Sequence, residues 1–356
     1  MTPADLSSTV LHAVRRAVDE NALRAPVPAR VRVERTRPGG SGDYACAVAL
    51  QLAGPAGLPA REVARILRER VAAEPGIGRV EITGPGFLSF TLDAPADRDR
   101  AVLDAVRERG IAYGHGDALR NEGLRFHHAR EVRAAVTADA VRRLLTAQGA
   151  RVRVGCEGEA EAEEWRRLGV SPDAYGPVVP EDTVIRPVPA GVTGAELLER
   201  LGADAARWGL LRPAAHDRAP LGDGLLVQGE ANPLFRVRYA HARTRALTRG
   251  AAALGFTSAP EAAPYAPPAR PLLDLLADHP GVLLAAARHR APDRVARQLE
   301  AVAHAFFDFH DCCPPLPSGD EKPSAAHRSR LALAEAAGTV LAGGLSLLGI
   351  SAPAHL

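Results

Sequence analysis

Residues 126–145, FHHAREVRAAVTADAVRRLL, put two histidines, an arginine and a glutamate between an apolar strand and a long amphipathic helix. A strand turning straight into a helix is how nucleotide-binding units begin. The free N–H groups and dipole of a helix N-terminus hold phosphate there. Such turns use glycine and small residues, so that backbone comes close to the ligand. Here the turn is His128-Ala129-Arg130-Glu131. A glutamate beside a phosphate site sets two negative charges together, which costs free energy.

Other constellations are weaker. In a helix over 232–250, Arg238, His241, Arg245 and Arg249 fall on one stripe. Arginine's planar fork suits phosphate, although a solvated helix face has the same pattern. His127 and His128 are adjacent on a strand and point to opposite faces, so they do not form a metal pair. His304, Asp308 and Asp311 make a stripe with metal-like spacing, but no other segment adds ligands, and a polar helix edge accounts for it. No metal site is expected. Cys46, Cys156, Cys312 and Cys313 contain no CxxC pair and read as reduced thiols of a cytoplasmic protein. The first residues carry no leader pattern, and no 18-residue apolar run exists, so no membrane contact is expected. Only one lysine, Lys322, occurs among 44 basic residues. Any chemistry that needs a mobile ammonium is correspondingly constrained.

The elements that position these groups fall into three segments. A length of 356 residues accommodates two or three domains, and with aromatics at 4% the cores must be built from Leu, Val and Ala. Residues 1–95 read as a small α+β domain. A helix over 1–22 opens on a Thr2-Pro3 cap and repeats Leu6, Val10, Val14 and Val18. A strand follows at 31–37, then over 39–54 a glycine-rich loop leading into an apolar strand or helix, a helix at 58–73, and two strands around Gly84-Pro85-Gly86. Residues 96–215 hold a linker helix (96–109), a strand (123–129), a helix (130–148), a second strand (150–155), an acidic helix (157–169), an extended proline-punctuated stretch (176–191) and a helix capped by Thr193 and Glu196. Residues 216–356 read as helices over 222–250, 268–278, 280–289, 293–312 and 325–348. The fold class is therefore α/β plus all-α multidomain, with an antiparallel helical bundle at the C-terminal end.

Several of these runs carry a family resemblance. NPLFRVRYAHARTRAL (232–247), AVAHAFFDFHDCC (301–313) and RLALAEAAGTVLAGGLSLLGISAP (330–353) resemble the helical DALR-type anticodon-binding domain of arginyl-tRNA synthetases. SGDYACAVALQLA (41–53) and GPGFLSF (84–90) resemble the additional N-terminal domain of that family, which grips the tRNA elbow. The resemblance implies tRNA, possibly an arginine tRNA, as partner. It implies contacts from Arg236, Arg238, Tyr239, His241, Arg243 and Arg245 in the first run, and from Asp43, Tyr44, Phe87 and Ser89 at the N-terminal end. Ser89 stands where the family often presents asparagine, which shortens the reach to a base.

The middle departs from the family. Its His-x-Gly-His motif aligns with His128 to Glu131, so Arg130 fills the adenine space and Glu131 replaces the second histidine. Its Lys-Met-Ser-Lys motif aligns with Thr183-Val184-Ile185-Arg186, without a lysine. Arg186 supplies charge, but Pro187 and Pro189 stiffen a loop that must move. Only 54 residues separate His128 from Thr183, too few for two βαβ halves at over ~30 residues each. His128, Glu131 and Arg186 are thus expected to be remnants rather than catalytic groups, with no ATP bound. The expectation is a tRNA-binding protein derived from a synthetase. The alternatives are an arginine–tRNA ligase-like protein or aminoacyl-tRNA-dependent transferase with altered activity, the resemblance placing the chain in the arginine–tRNA ligase class, or a protein-interaction or regulatory module.

Overall fold

Two four-stranded sheets of opposite kind organise the described residues, one wholly antiparallel in the order β1 (Val33–Arg35), β2 (Tyr44–Cys46), β4 (Phe87–Leu92), β3 (Ile77–Thr83), the other wholly parallel in the order β7 (Ala174–Tyr175), β6 (Arg151–Cys156), β5 (Gly123–His128), β8 (Thr183–Ile185). The computed structural model describes residues 3–36, 40–74, 76–92, 95–158, 163–260 and 265–356, so the Thr2 cap lies outside the described residues. The chain divides into two compact units, Met1–Asp104 with Ala262–Tyr265, and Ala105–Glu261 with Ala266–Leu356.

In the first unit, α1 (Pro3–Asp19) is followed by β1 (Val33–Arg35), β2 (Tyr44–Cys46), α2 (Val48–Ala56), α3 (Ala60–Val71), β3 (Ile77–Thr83) and β4 (Phe87–Leu92). The four-residue repeat of α1 has the expected consequence: Leu6, Val10 and Val14 are buried against Val63 and Leu67 of α3 and the inner face of the sheet. The hairpin between β3 and β4 needs glycine. Gly86 sits at φ 142, and a Cβ there would come within 2.9 Å of the Ala60 backbone.

α4 (Pro95–Arg109) leads into the second unit. There β5 (Gly123–His128), α5 (Val132–Ala147), β6 (Arg151–Cys156), α6 (Glu163–Arg167), β7 (Ala174–Tyr175) and β8 (Thr183–Ile185) make the parallel sheet and its helices. α7 (Gly194–Leu211), α8 (Pro233–Ala253), α9 (Arg270–His289), α10 (Asp293–Cys312) and α11 (Ala325–Leu347) follow. The Thr193–Glu196 capping box forms at the start of α7. The helix expected from 222 starts only at Pro233. Asn232 caps it through Leu234 and Phe235, and its amide donates to the carbonyls of Leu225 and Val227, which holds 223–226 in a separate short turn. The helices expected over 268–278 and 280–289 are one helix, α9, which continues through Pro280. The acidic helix is shorter than expected at Glu163–Arg167, and residues 159–162 lie outside the described residues. Close helix approach in the bundle relies on small residues: a Cβ on Gly338 of α11 would overlap the Thr244 hydroxyl of α8 at 2.1 Å.

The bundle also buries a titratable group. His279 on α9 is 1% exposed, stacks on Tyr113 at 6.0 Å, and has no partner for Nδ1. Burial, with a smaller contribution from His115, pushes its pKa down to about 4. Its folded pKa lies below the unfolded value near 6.5. The stability from this site is therefore full above that value and lost as pH falls toward 4. The expected loss between pH 7 and pH 4 is about 3 kcal/mol. Denaturant melts should show His279→Phe flattening this acid limb; an unchanged limb would refute the assignment.

Candidate functional site

At the C-terminal end of β5 the turn His128 to Glu131 is closed by its own side chains. Glu131 is the N-cap of α5, in extended backbone at φ −134 and ψ 136. One carboxylate oxygen accepts from Ala134 N and the other from Ala190 N, both at 2.8 Å. An anion therefore already sits on the helix N-terminus, where cap and dipole both favour negative charge. His128 is fully buried, with Nδ1 2.8 Å from the Ala129 carbonyl and its ring 5.7 Å from that of Trp165. Since a carbonyl only accepts, Nδ1 carries the proton, and burial lowers the pKa. Its neighbour His127 faces the other way, against Gly155, with Nδ1 3.7 Å from Asp182. Arg130 is exposed and lies over Gly158, whose missing side chain leaves the space it occupies.

The loop after β8 is fixed from below by Arg133, which is 1% exposed. Its guanidinium donates to the carbonyls of Leu210, Val188, Asp217, Pro213 and Ala214. Val188 N in turn donates to Ala215 O at 2.7 Å. Residues 188–190 are thus held by Arg133, Ala215 and Glu131 together. Arg186, just before them, is exposed. Among the described residues no three His, Cys, Asp or Glu side chains converge as a metal would require.

A second candidate site lies on α8 and α10. Phe235, Tyr239 and Phe307 form a ladder with ring centroids 5.6 Å apart at both steps and interplanar angles of 5° and 22°. Tyr239 is 43% exposed. Arg236 and Arg243 flank the ladder and reach His304 Nδ1 at 3.0 Å and His310 Nε2 at 3.4 Å. Beside Phe235 opens a cleft of about 440 Å³, walled by Leu201, Leu225, Val227 and Leu356, with Asp204 and Arg238 as its charged groups. Gly202, non-helical at φ 71, breaks α7 at its edge.

Two family models match the chain: the arginyl tRNA synthetase N terminal domain over residues 5–92 and the DALR anticodon binding domain over residues 237–356. The chain is similar to an arginine–tRNA ligase of Frankia alni, at 29% identity with all of both chains covered. It is 40% identical to the ligase of Clavibacter sepedonicus over 171 residues, 46% of this chain and 30% of that one. The solved Thermus thermophilus arginyl-tRNA synthetase shares the fold, with a TM-score of 0.70 over the whole of both chains at 14% identity. The chain belongs to the arginyl-tRNA synthetase family. The Frankia alni comparison runs over 556 positions against 356 residues here, so some 200 positions stand opposite no residue of this chain. Residues 93–236, between the two matched segments, contain the altered turn and the loop after β8.

Against this family frame, several residues expected to touch tRNA are placed elsewhere. Tyr44 is 2% exposed, because the alternation of β2 turns it into the core of the first unit. Ser89 is 4% exposed and shares a hydrogen bond with Thr83, while Phe87 is left at the surface. Asp43 is exposed but accepts from Leu92 N at 3.0 Å, a turn role. The stripe Arg238, His241, Arg245 and Arg249 is not an open phosphate row, because the last residues of the chain lie along it. His241 is 6% exposed with Nδ1 2.9 Å from Pro353 O, Arg238 reaches Ser351, and Arg249 reaches Ala354 O and His355. Arg245 stays exposed, and so do Tyr239 and Arg243, with Arg236 half-buried. Phe235 and Phe307 were not among the residues expected from the sequence; Phe235 stands four residues before Tyr239 on α8, a local signal, whereas Phe307 comes from α10 and its place beside Tyr239 is set by helix packing.

Proposed function

We propose that this chain is a tRNA-binding member of its family that does not activate arginine. The observation that carries this reading is Glu131, whose carboxylate fills the N-terminus of α5 with bonds to Ala134 N and Ala190 N. A triphosphate at that position would face a carboxylate instead of free N–H groups, so the residues present do not fit ATP. The same glutamate, with Arg133, ties down residues 188–190, just after Thr183–Arg186 where the family's mobile lysine motif aligns. The only lysine of the chain, Lys322, lies between α10 and α11.

For tRNA, the aromatic ladder and its flanking arginines supply stacking planes and phosphate donors, and the neighbouring cleft supplies room for an unpaired base. The relatives are ligases for arginine, which makes arginine tRNAs the first choice of probe.

Arginine-dependent exchange of pyrophosphate into ATP is expected to stay at background, and robust exchange would overturn the non-activating reading. Unfractionated tRNA is expected to shift the protein in a gel and to be released at rising salt. Tyr239→Ala should weaken that binding by about 1–3 kcal/mol, the usual worth of one stacked base. Full affinity in the variant would place the RNA elsewhere.

A further inference from the structure

Parallel sheets are ordinarily covered on both faces, and their strands then read as continuous apolar runs. β5 and β6, the two central strands, instead alternate. Leu124, Phe126 and His128 pair in register with Val152, Val154 and Cys156 on the face that α5 covers. Gly123, Arg125 and His127 pair with Arg151, Arg153 and Gly155 on the opposite face. Arg125, Arg151 and Arg153 are all exposed, and among the described residues α5 is the only helix packed broadly on these strands. Arg125 has Asp182 at 3.0 Å. Arg151 and Arg153 have no ion pair among the described residues. Alternation from Val184 of β8 brings exposed Arg186 to the same face.

Like charges in register on adjacent strands repel. Arg125 and Arg153 stand in that relation on strands spaced about 4.8 Å apart, with Asp182 balancing the charge of Arg125 alone. Their cost is offset when a polyanion supplies the counter-charge, and the arginine fork matches phosphate oxygens in pairs. We propose that this open arginine face binds the phosphate backbone of RNA, giving the altered middle segment a binding role. The proposal rests on the reading of the chain as a tRNA binder.

The test is binding of the full chain to unfractionated tRNA across a salt series. Arg151→Glu with Arg153→Glu should weaken binding tenfold or more at low salt. It should also reduce the slope of log affinity against log salt by about one for each phosphate no longer held. The paired Gln variant should fall between, with an unchanged melting temperature confirming that both fold. Tyr239→Ala should lower affinity and leave the slope as it was, because stacking releases no counterions. Unchanged affinity and slope in both arginine variants would overturn the proposal and leave this face to an acidic protein. Failure of the unaltered chain to bind tRNA at all would instead remove the tRNA reading, and this inference with it.

Discussion

Arg133→Met should lower the unfolding free energy by about 3–5 kcal/mol, a loss expected when a buried, fully bonded charge is removed and its partners are left unsatisfied. All five guanidinium N–H groups are used, each on a backbone carbonyl, and four of those carbonyls (Val188, Pro213, Ala214, Asp217) belong to irregular segments, of which Ala214 O alone also accepts from another described residue, Asp217 N. A thioether fills the volume but accepts and donates nothing useful there. Lysine is no substitute, since one ammonium cannot meet five acceptors arranged around a planar fork. The loss should be local before it is global. Amide exchange at Val188 and Ala190 should rise in the variant at denaturant concentrations where α8 and α11 remain protected. A cost below about 1 kcal/mol by denaturant melts would show that water already serves these carbonyls. Release of the loop without any gain of pyrophosphate exchange would further separate mobility from chemistry, because Glu131 still occupies the helix end.

How much of this was legible in the sequence depends on how local the determinant is. The cap of α7 was readable because Thr193 and Glu196 act within three residues of each other. The altered turn was readable as a disagreement between a strand–helix frame and the residues at its tip. What Glu131 does there was only half visible. Its bond to Ala134 is a local cap, but the bond to Ala190 spans 59 residues. Arg133 and Arg207 look like ordinary helix-surface charges, because their burial is set by carbonyls far along the chain. Tyr44 was misplaced for a related reason. The glycines before it suggest a loop, whereas pairing of β2 with β4 makes it a core residue. The arginine stripe of α8 follows helical spacing correctly, yet spacing does not say that the chain's last residues will cover it.

The second large effect should come from Arg207, which is 1% exposed and pairs with Asp139 at 2.8 Å, itself 2% exposed. Burial alone would raise the Asp139 pKa, but Arg207 and Arg143 beside it bring the net shift below the usual carboxylate range. Its folded pKa is thus depressed, so its contribution is present above the unfolded value and lost only as pH falls through the folded one. At neutral pH either Asp139→Asn or Arg207→Met should cost about 3–5 kcal/mol: the first leaves Arg207 buried without a counter-ion, and the second leaves Asp139 to Arg142 and Arg143 alone and the carbonyls of Leu168 and Leu348 without their donor. Asp139→Asn with Arg207→Met should cost less than the sum of the singles, since both remove the same buried pair. Strict additivity in that cycle would exclude the pair as the cause. The arginine single should differ from the aspartate single in one respect. Arg207 also donates to Leu348 O at 2.7 Å and Leu168 O at 2.6 Å, and Gly349 lies flat on it, where a Cβ would come within 2.5 Å of Cζ. Ser351 then binds Asp204, and the following residues run over Arg238, His241 and Arg249. Arg207→Met should therefore loosen the segment that screens this stripe of α8, and amide exchange at Ser351 should rise there more than in Asp139→Asn.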